Sequence, residues 1–275
     1  MIGGALAGLL VLITFSVSAF MIPVAAEPAS SLHHSASFLH HDVKIRIDPS
    51  RGAIKVVDRI TIDGAKVKAL RLAPWLTFSR LEIDGAAVPL ARADSVLRLP
   101  QTPVDPREII VSYAGKPPAT GDDHGARSAP GGAIGSQGTF LPGGAGWLPH
   151  LDTGPGAATY RLHVAVPGNQ VAVATGRLVE EHTDPDGYEA VFVAERPGEE
   201  PSLFAGPYTV RERRHGWIRL RTYFHAEDGE LAKAYLDAAA GYLDAFSARI
   251  GAYPFEGLAI VSSPFPVGLG FPGVT

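Results

Sequence analysis

The feature that most constrains the fold is a series of short segments, between residues 38 and 113, in which apolar and polar side chains alternate. In the first segment, apolar residues at 43, 45 and 47 alternate with charged residues at 44, 46 and 48, as in a strand with one buried face. A turn at 48–52 leads to a second segment at 54–62, which predicts a hairpin. Four more strands are expected at sandwich-like spacing: 70–72, 81–83, 96–99 and 109–113.

Strand-like segments resume after residue 157, and one helix follows them near the end of the chain. We expect strands at 158–166, 171–173, 188–193, 208–210 and 217–223. Residues 229–250 are predicted to form the first helix, because apolar side chains recur there at spacings of three and four. The predicted apolar face consists of Leu231, Tyr235, Ala238, Tyr242 and Phe246. The fold class is therefore mainly β with a late helix, and we place a domain boundary near Ala226.

A Gly- and Pro-rich stretch at 115–146 separates the two groups of strands. It contains ten glycines, four prolines and few apolar residues, a composition typical of a long flexible loop. A loop of this length inside a compact domain indicates either disorder or a functional flap. We expect limited proteolysis to cut this stretch first.

Residues 2–24 are almost wholly apolar and carry no charge. They run into Val24, Ala25 and Ala26, a small-residue site of the kind that signal peptidase cleaves, so residues 1–26 are predicted to be a signal peptide. No Lys or Arg precedes Lys44, so the basic segment typical of a signal peptide is absent. An apolar run of this length also spans a bilayer, so an uncleaved membrane anchor through 2–24 and a buried helix are the alternatives. The first two interpretations place the folded part outside the cytoplasm, either secreted, periplasmic or membrane-anchored.

Composition excludes several classes of function. The formal net charge of -4 argues against a nucleic-acid partner, which requires a basic face. The absence of cysteine excludes disulfides and thiolate metal sites. The sequence also contains no phosphate-binding loop and no G-x-S-x-G nucleophile motif.

Four short motifs follow one another in a specific order. They are W-L-P-H-L-D at 147–152, A-A-T-Y at 157–160, S-L-F-A-G-P-Y at 202–208 and A-Y-P-F-E-G at 252–257. In this order, residues 38–275 resemble the first part of the aminopeptidase N family, the membrane alanyl aminopeptidase-like gluzincin zinc metallopeptidases. The resemblance implies an N-terminal β-sandwich or saddle domain at 27–226. It also implies that 227–275 begin an α/β, thermolysin-like catalytic domain that is truncated here.

The resemblance assigns a role to the first of these motifs. It implies that the turn containing Trp147 braces the β-domain against the catalytic domain. The alternative is a Trp packed in a core beside Asp152, which caps a turn.

The family carries a G-x-M-E-x-P-G loop where this chain has residues 268–273. Aligned on its Pro-Gly pair, Gly268 corresponds to the first glycine, Leu269 to the Met and Gly270 to the Glu that holds the substrate's free α-amine. The resemblance implies that Gly268, Leu269, Gly270, Phe271 and Pro272 form a substrate-binding loop that pairs with a peptide backbone but lacks the amine-binding carboxylate. The alternative is a plain connection from a strand to a turn.

The family binds zinc through two histidines four residues apart on a helix, with a Glu between them as general base. None of the ten histidines here lies four residues from another, and none lies within 229–250. We therefore expect no catalytic residue and no bound zinc in this chain; zinc and the peptide substrate belong to the longer parent. A metal site built from 33–34, 40–42 or 122–124 is an alternative, but solvated surface histidines are favoured because neighbouring strand residues point to opposite faces.

Together these observations predict the N-terminal fragment of an exported aminopeptidase N-like zinc metallopeptidase, inactive without the missing zinc segment. The alternatives are a non-catalytic extracytoplasmic β-sandwich module that binds peptides or proteins, and a pseudo-peptidase. Because the interpretations differ in the sequence expected after Thr275, the downstream reading frame discriminates between them.

Overall fold

The structure is a computed structural model that describes residues 38–63, 68–90, 95–100, 108–118, 131–151, 158–263 and 268–275. These residues belong to one compact unit, Ser35–Thr275. The predicted signal peptide or anchor at 1–26 lies outside the described residues. Within the described ranges, no helix has the length and apolar character needed to cross a membrane.

An eight-stranded sheet forms the larger part of the fold. From one edge to the other, its strands are β13 (Arg177–Asp184), β14 (Gly187–Gly198), β11 (Ala158–Pro167), β1 (Phe38–Asp48), β2 (Ala53–Asp63), β7 (Glu108–Gly115), β4 (Leu76–Ile83) and β5 (Ala86–Ala87). All neighbours are antiparallel except β1 and β11. The predicted β1–β2 hairpin is confirmed, and Val43, Ile45 and Ile47 are at most 3% exposed.

Two small sheets share the main hydrophobic core with the large sheet. One contains, in spatial order, β10 (His150–Leu151), β3 (Ala69–Arg71) and β6 (Val96–Arg98). The other contains β12 (Val171–Ala174), β15 (Leu203–Gly206), β9 (Gly138–Leu141) and β8 (Ala133–Gly135). Most described residues lie in strands, which form four sheets, so the mainly β fold class is confirmed.

A third small sheet carries the helix. Its strands are β16 (Thr209–His215), β17 (Ile218–Phe224) and β18 (Gly257–Val261). After β17 the chain forms a 3₁₀ helix (Ala226–Leu231) and α1 (Ala232–Ile250), and then returns to β18, which is parallel to β17. Such a crossover connection is the usual way to join parallel strands. The proposed boundary near Ala226 falls at the start of the 3₁₀ helix and stays a prediction.

The helix packs on this sheet through a different face from the one predicted. Its buried side chains are Ala232, Leu236, Ala239, Ala240 and Leu243. The predicted face is exposed, because the small alanines let the neighbouring face approach the sheet closely. We call the large exposed apolar side chains of this region the α1 stripe. They are, with their exposed fractions, Leu231 at the end of the 3₁₀ helix (48%) and Tyr235 (49%), Tyr242 (65%), Phe246 (54%) and Ile250 (82%) of α1.

The predicted flexible loop at 115–146 is partly folded into strands. Residues 131–146 contain β8 and β9, and every residue of β9 is buried. Phe140 of β9 stacks on Phe204 of β15, with ring centroids 4.8 Å apart. The flexible-loop prediction is therefore wrong for 131–146, because strand pairing and aromatic burial offset the conformational freedom of the glycines. Residues 119–130 lie outside the described ranges.

Candidate substrate-edge loop

The candidate loop returns beside β18 and ends as a short extension of its sheet. Val274 pairs with Ala259 of β18 in the parallel sense. Three backbone bonds hold the two segments together: Ala259 N donates to Gly273 O at 2.8 Å, Thr275 N to Ala259 O at 2.8 Å, and Val261 N to Thr275 O at 2.7 Å. The last residues of the described chain thus occupy the edge of β18.

Phe271 anchors the loop to the β-domain. Its ring lies 6.2 Å from that of Phe140 and 6.0 Å from that of Phe204, measured between centroids. Its backbone exchanges two hydrogen bonds with Val274, at 2.7 and 3.0 Å, which closes a tight turn. Because Val274 is only 2% exposed, this half of the loop is held by packing as well as by backbone bonds.

The other half of the loop is open to solvent. Gly268, Leu269 and Gly270 are exposed, and the Leu269 side chain is 48% exposed. A Cβ placed on Gly268 or Gly270 meets no atom within 4 Å, and neither residue has a positive φ. The loop therefore combines an anchored segment with an open, flexible-backbone segment, a form compatible with peptide pairing. The substrate-binding role of these five residues stays a prediction.

The carboxyl ends of β17 and β18 lie beside the loop and bring His225 close to Ser262. The backbone N–H of His225 donates to Ser262 Oγ at 2.9 Å, and the imidazole packs on Tyr208 with centroids 5.1 Å apart. Within the described chain, His225 Nε2 and the Tyr208 hydroxyl are buried without hydrogen-bond partners. Ser262 and His225 are thus joined through the backbone and do not form a nucleophile–base pair.

The first sequence motif meets the chain beside the third motif in the main core. Trp147 is fully buried, and its Nε1 donates to the carbonyl of Pro201 at 3.1 Å. The Glu200 carboxylate accepts from the backbone N–H groups of Leu148 at 2.6 Å and Gly146 at 2.9 Å. The structure therefore shows Trp147 as a packed core residue held by the chain just before the 202–208 motif. Asp152 lies outside the described residues.

Sequence reasoning missed Glu200. Burial raises the pKa of its carboxyl from 4.5 to about 7, although the N–H groups of Leu148 and Gly146 and the nearby His41 favour the ionised form. No motif marks Glu200 in the sequence, since its partners lie 52 and 54 residues earlier. It is a neutral-range titrating group inside the β-domain, distant in sequence from the candidate loop.

The favoured interpretation of the histidines in the candidate metal clusters, as solvated surface groups, is wrong for His41. His41 is 1% exposed; its Nδ1 lies 2.7 Å from Asp58 Oδ2, and its ring stacks on Tyr160. It is buried because it occupies an inward-facing position of β1, and Asp58 faces it from β2. His225 is also buried, at 9% exposed.

A zinc centre does not fit the residues that the structure describes. In those residues, no group of three or more His, Asp or Glu side chains is placed to hold a metal ion. The described part of the candidate metal clusters, 40–42, uses His41 in a pair with Asp58 instead. Residues 33–34 and 122–124 lie outside the described ranges.

No protein-family model matches the sequence, and no curated protein matches it. Solved structures do match. A mutant of a two-domain M1 zinc metallopeptidase, bound to L-tryptophan, aligns with a TM-score of 0.63 at 22% identity, over 82% of this chain and 57% of that one. The M1 zinc metallopeptidase from Deinococcus radiodurans aligns with a TM-score of 0.62 at 20% identity, over 87% and 58%. A mutant of it bound to a Tyr-Ser-Ala substrate gives 0.62 at 19% identity, over 87% and 59%.

The chain spans less than two thirds of the length of each of these proteins. At such identities the similarity shows a shared fold. The chain therefore has the mainly β fold of the N-terminal part of M1 zinc metallopeptidases, the aminopeptidase N family, together with one helix.

Proposed function

We propose that this chain is the N-terminal part of an exported zinc metallopeptidase that hydrolyses peptide bonds, and that it is inactive alone. In the parent, zinc would supply the Lewis-acid chemistry for peptide-bond hydrolysis, and its ligands and the general base would come from sequence beyond Thr275. The predicted signal peptide at 1–26 supports export. The anchored loop at 271–275 supports a peptide-binding edge beside the catalytic centre.

The observation that carries this proposal is the α1 stripe. Five large apolar side chains on α1 and at the end of the preceding 3₁₀ helix are 48% to 82% exposed. Contiguous exposed apolar patches mark surfaces that bury against other polypeptide. Since the matching peptidases are longer chains, of which this one covers 57% to 59%, the additional part of a parent catalytic domain is the natural cover for the stripe.

Gly270 bears on the substrate preference of the proposed peptidase. The family position for an amine-binding Glu has no carboxylate here, and the surrounding space is open. Losing one partner of a buried ion pair costs about 3–5 kcal/mol. We therefore propose that the parent prefers free N-termini much less strongly than an aminopeptidase does.

One experiment tests whether sequence beyond Thr275 covers the α1 stripe and whether the extended protein binds zinc. The reading frame after Thr275 is determined, and the extended protein and the 27–275 chain are each made with Phe246→Ala and with Leu243→Ala. In the 27–275 chain, Phe246→Ala changes the free energy of unfolding by less than about 0.5 kcal/mol because its side chain is exposed. In the extended protein it costs about 3 kcal/mol or more.

Leu243 is the matched control, because it is 9% exposed and its truncation costs about 2–5 kcal/mol in both proteins. Zinc content after dialysis is measured in parallel, with one equivalent expected in the extended protein and none in the 27–275 chain. A stop codon directly after Thr275, or equal zinc binding by the short chain, contradicts the proposal and favours the non-catalytic module.

A further inference from the structure

A cleft on the face of the third small sheet opposite α1 is lined by an unusual set of side chains. Its volume is about 320 Å³, and it lies between that sheet and the β12–β13 region. Its charged and aromatic lining includes Arg177, Arg214, Arg219, Arg221, Glu256 and Trp217. Four arginines therefore face one carboxylate in a chain whose formal net charge is -4.

Two of the four arginines are neutralised by their neighbours. Arg221 donates to both carboxylate oxygens of Glu181, at 2.6 and 3.0 Å, and to Glu212 at 2.7 Å. Arg177 pairs with Glu195 at 3.1 Å and with Glu256 at 3.6 Å. These residues form the wall between the two β layers.

The other two arginines repel each other. Arg214 of β16 and Arg219 of β17 are directly opposite in the antiparallel register, an arrangement that destabilises a sheet when both residues carry the same charge. Among the described residues, Arg219 forms one ion pair, at 3.6 Å from Glu212, whose other oxygen already binds Arg221. The charge of Arg219 also favours the ionised form of Glu181. Arg214 is exposed and forms no ion pair with any residue that the structure describes. An anion between them relieves this repulsion.

Trp217 adds a flat apolar surface to the same cleft. It precedes β17, lies between Arg214 and Arg219 in the sequence, and is 55% exposed. Aromatic side chains that are both exposed and placed in a concave site are typical binding anchors. The volume is at the lower limit for ligand pockets, which suits a ligand of a few residues. The negative net charge disfavours a long polyanion.

We propose that this cleft binds the carboxylate of a short peptide, with Arg214 and Arg219 as its cationic partners and Trp217 against the adjoining apolar side chain. A guanidinium matches a carboxylate through two parallel N–H bonds. The site lies on the sheet face away from α1, and its lining includes Gly273 and Val274, which follow the candidate substrate-binding loop. The proposal is tested separately from the peptidase function proposed above, because the titration uses the 27–275 chain without the zinc segment.

The test is a titration of the 27–275 chain at low salt with the tripeptide Ala-Ala-Phe, followed by calorimetry and by Trp fluorescence. Its C-terminal amide and inorganic phosphate are titrated under the same conditions. We expect the free acid to bind at least ten times more tightly than the amide. Arg214→Gln and Arg219→Gln should each weaken binding of the acid by about 10- to 100-fold, the range for a charge-assisted hydrogen bond.

The matched control is Arg211→Gln. Arg211 is an exposed residue of the same strand, but three positions before Arg214, so it points to the opposite face of the sheet. Trp217→Phe should keep calorimetric binding within a few fold and remove the fluorescence change, because the other Trp side chains are less exposed. Melting curves show whether each variant is folded, and Arg214→Gln decides alone if Arg219→Gln is not.

Three outcomes overturn the assignment. Equal binding of acid and amide shows that the carboxylate is not recognised. Equal losses in Arg211→Gln and Arg214→Gln show a general charge effect and no site. Binding of phosphate as tight as that of the tripeptide shows a general anion site without peptide recognition.

Discussion

Replacing Glu200 with Gln should change how stability depends on pH. Glu200 is partly buried below the turn that holds Trp147, and its two oxygens accept from Leu148 N and Gly146 N. Its pKa in the folded chain is about 7, against an ordinary value of 4.5, and burial is the main cause. Between these two values the folded chain holds a proton that the unfolded chain has released.

The sign of the effect follows from this difference. Stability falls with rising pH wherever the folded state binds more protons. The contribution of Glu200 is thus complete below about pH 4.5 and is lost as pH rises to about 7. The difference between 4.5 and about 7 corresponds to about 3 kcal/mol, at ~1.36 kcal/mol per pH unit.

Urea unfolding between pH 4 and about 8 measures this contribution. The informative quantity is the free energy of unfolding of the wild type minus that of Glu200→Gln, since every other titratable group is present in both proteins. We expect this difference to fall by about 2–3 kcal/mol as pH rises. At every pH the variant also lacks one acceptor, because its amide NH₂ faces a backbone N–H; that cost of about 1–3 kcal/mol shifts the curve without changing its slope.

Glu199→Gln is the matched control, because Glu199 is an exposed neighbour. Its difference curve should be flat. The reasoning is refuted if the Glu200→Gln curve is also flat, or if it rises with pH. A rise shows that the N–H bonds and His41 outweigh burial and hold the pKa below 4.5.

Two further predictions concern the loop and the wall of the cleft. Gly270→Glu should leave the free energy of unfolding within about 0.5 kcal/mol of wild type. Gly273→Glu should cost about 1–2 kcal/mol, because Gly273 has φ +77° and a Cβ there lies 3.3 Å from Gly257 O. Equal thermal shifts in the two variants would contradict this prediction. Arg221→Met should cost about 1–3 kcal/mol at neutral pH by removing charge-assisted bonds. The hydrogen bonds and charge of Arg221 lower the pKa of Glu181 below 4.5. The stabilisation by this pair is therefore present above pH 4.5 and disappears as pH falls through the lowered pKa. If the stability lost in Arg221→Met grows in acid, measured by urea unfolding, the pairing is refuted.

Most strands of the large and small sheets were predictable from local pattern, whereas β8 and β9 were not. Residues 43–47 alternate strictly, because one face of β1 meets the core and the other meets solvent. β9 carries no such alternation, since all four of its residues are buried. β9 is a strand because it pairs with β15, more than sixty residues later in the chain. The Gly-rich composition around β9 indicates a loop and gives no sign of this pairing.

The polar groups of the core were hidden for the same reason. The Trp147 motif and the 202–208 motif are each visible in the sequence. Their contact through Pro201, and the position of Glu200 beneath the turn, depend on two strands being adjacent in space. Glu200 stands among polar residues in the sequence, which gives no indication of its burial. Its burial is decided by the groups that the fold places around it.

The error in the helix face is the most informative about function. α1 carries two apolar rows at spacings of three and four, one with Leu236, Ala240 and Leu243 and the other with Tyr235, Tyr242 and Phe246. The sequence favoured the second row because its side chains are larger, but the sheet takes the first, whose alanines permit close approach. A helix that is apolar on both faces is typical of the interior of a larger domain. The wrong prediction and the exposed stripe thus have one physical cause: α1 carries two neighbouring apolar rows, and the described sheet covers only one of them.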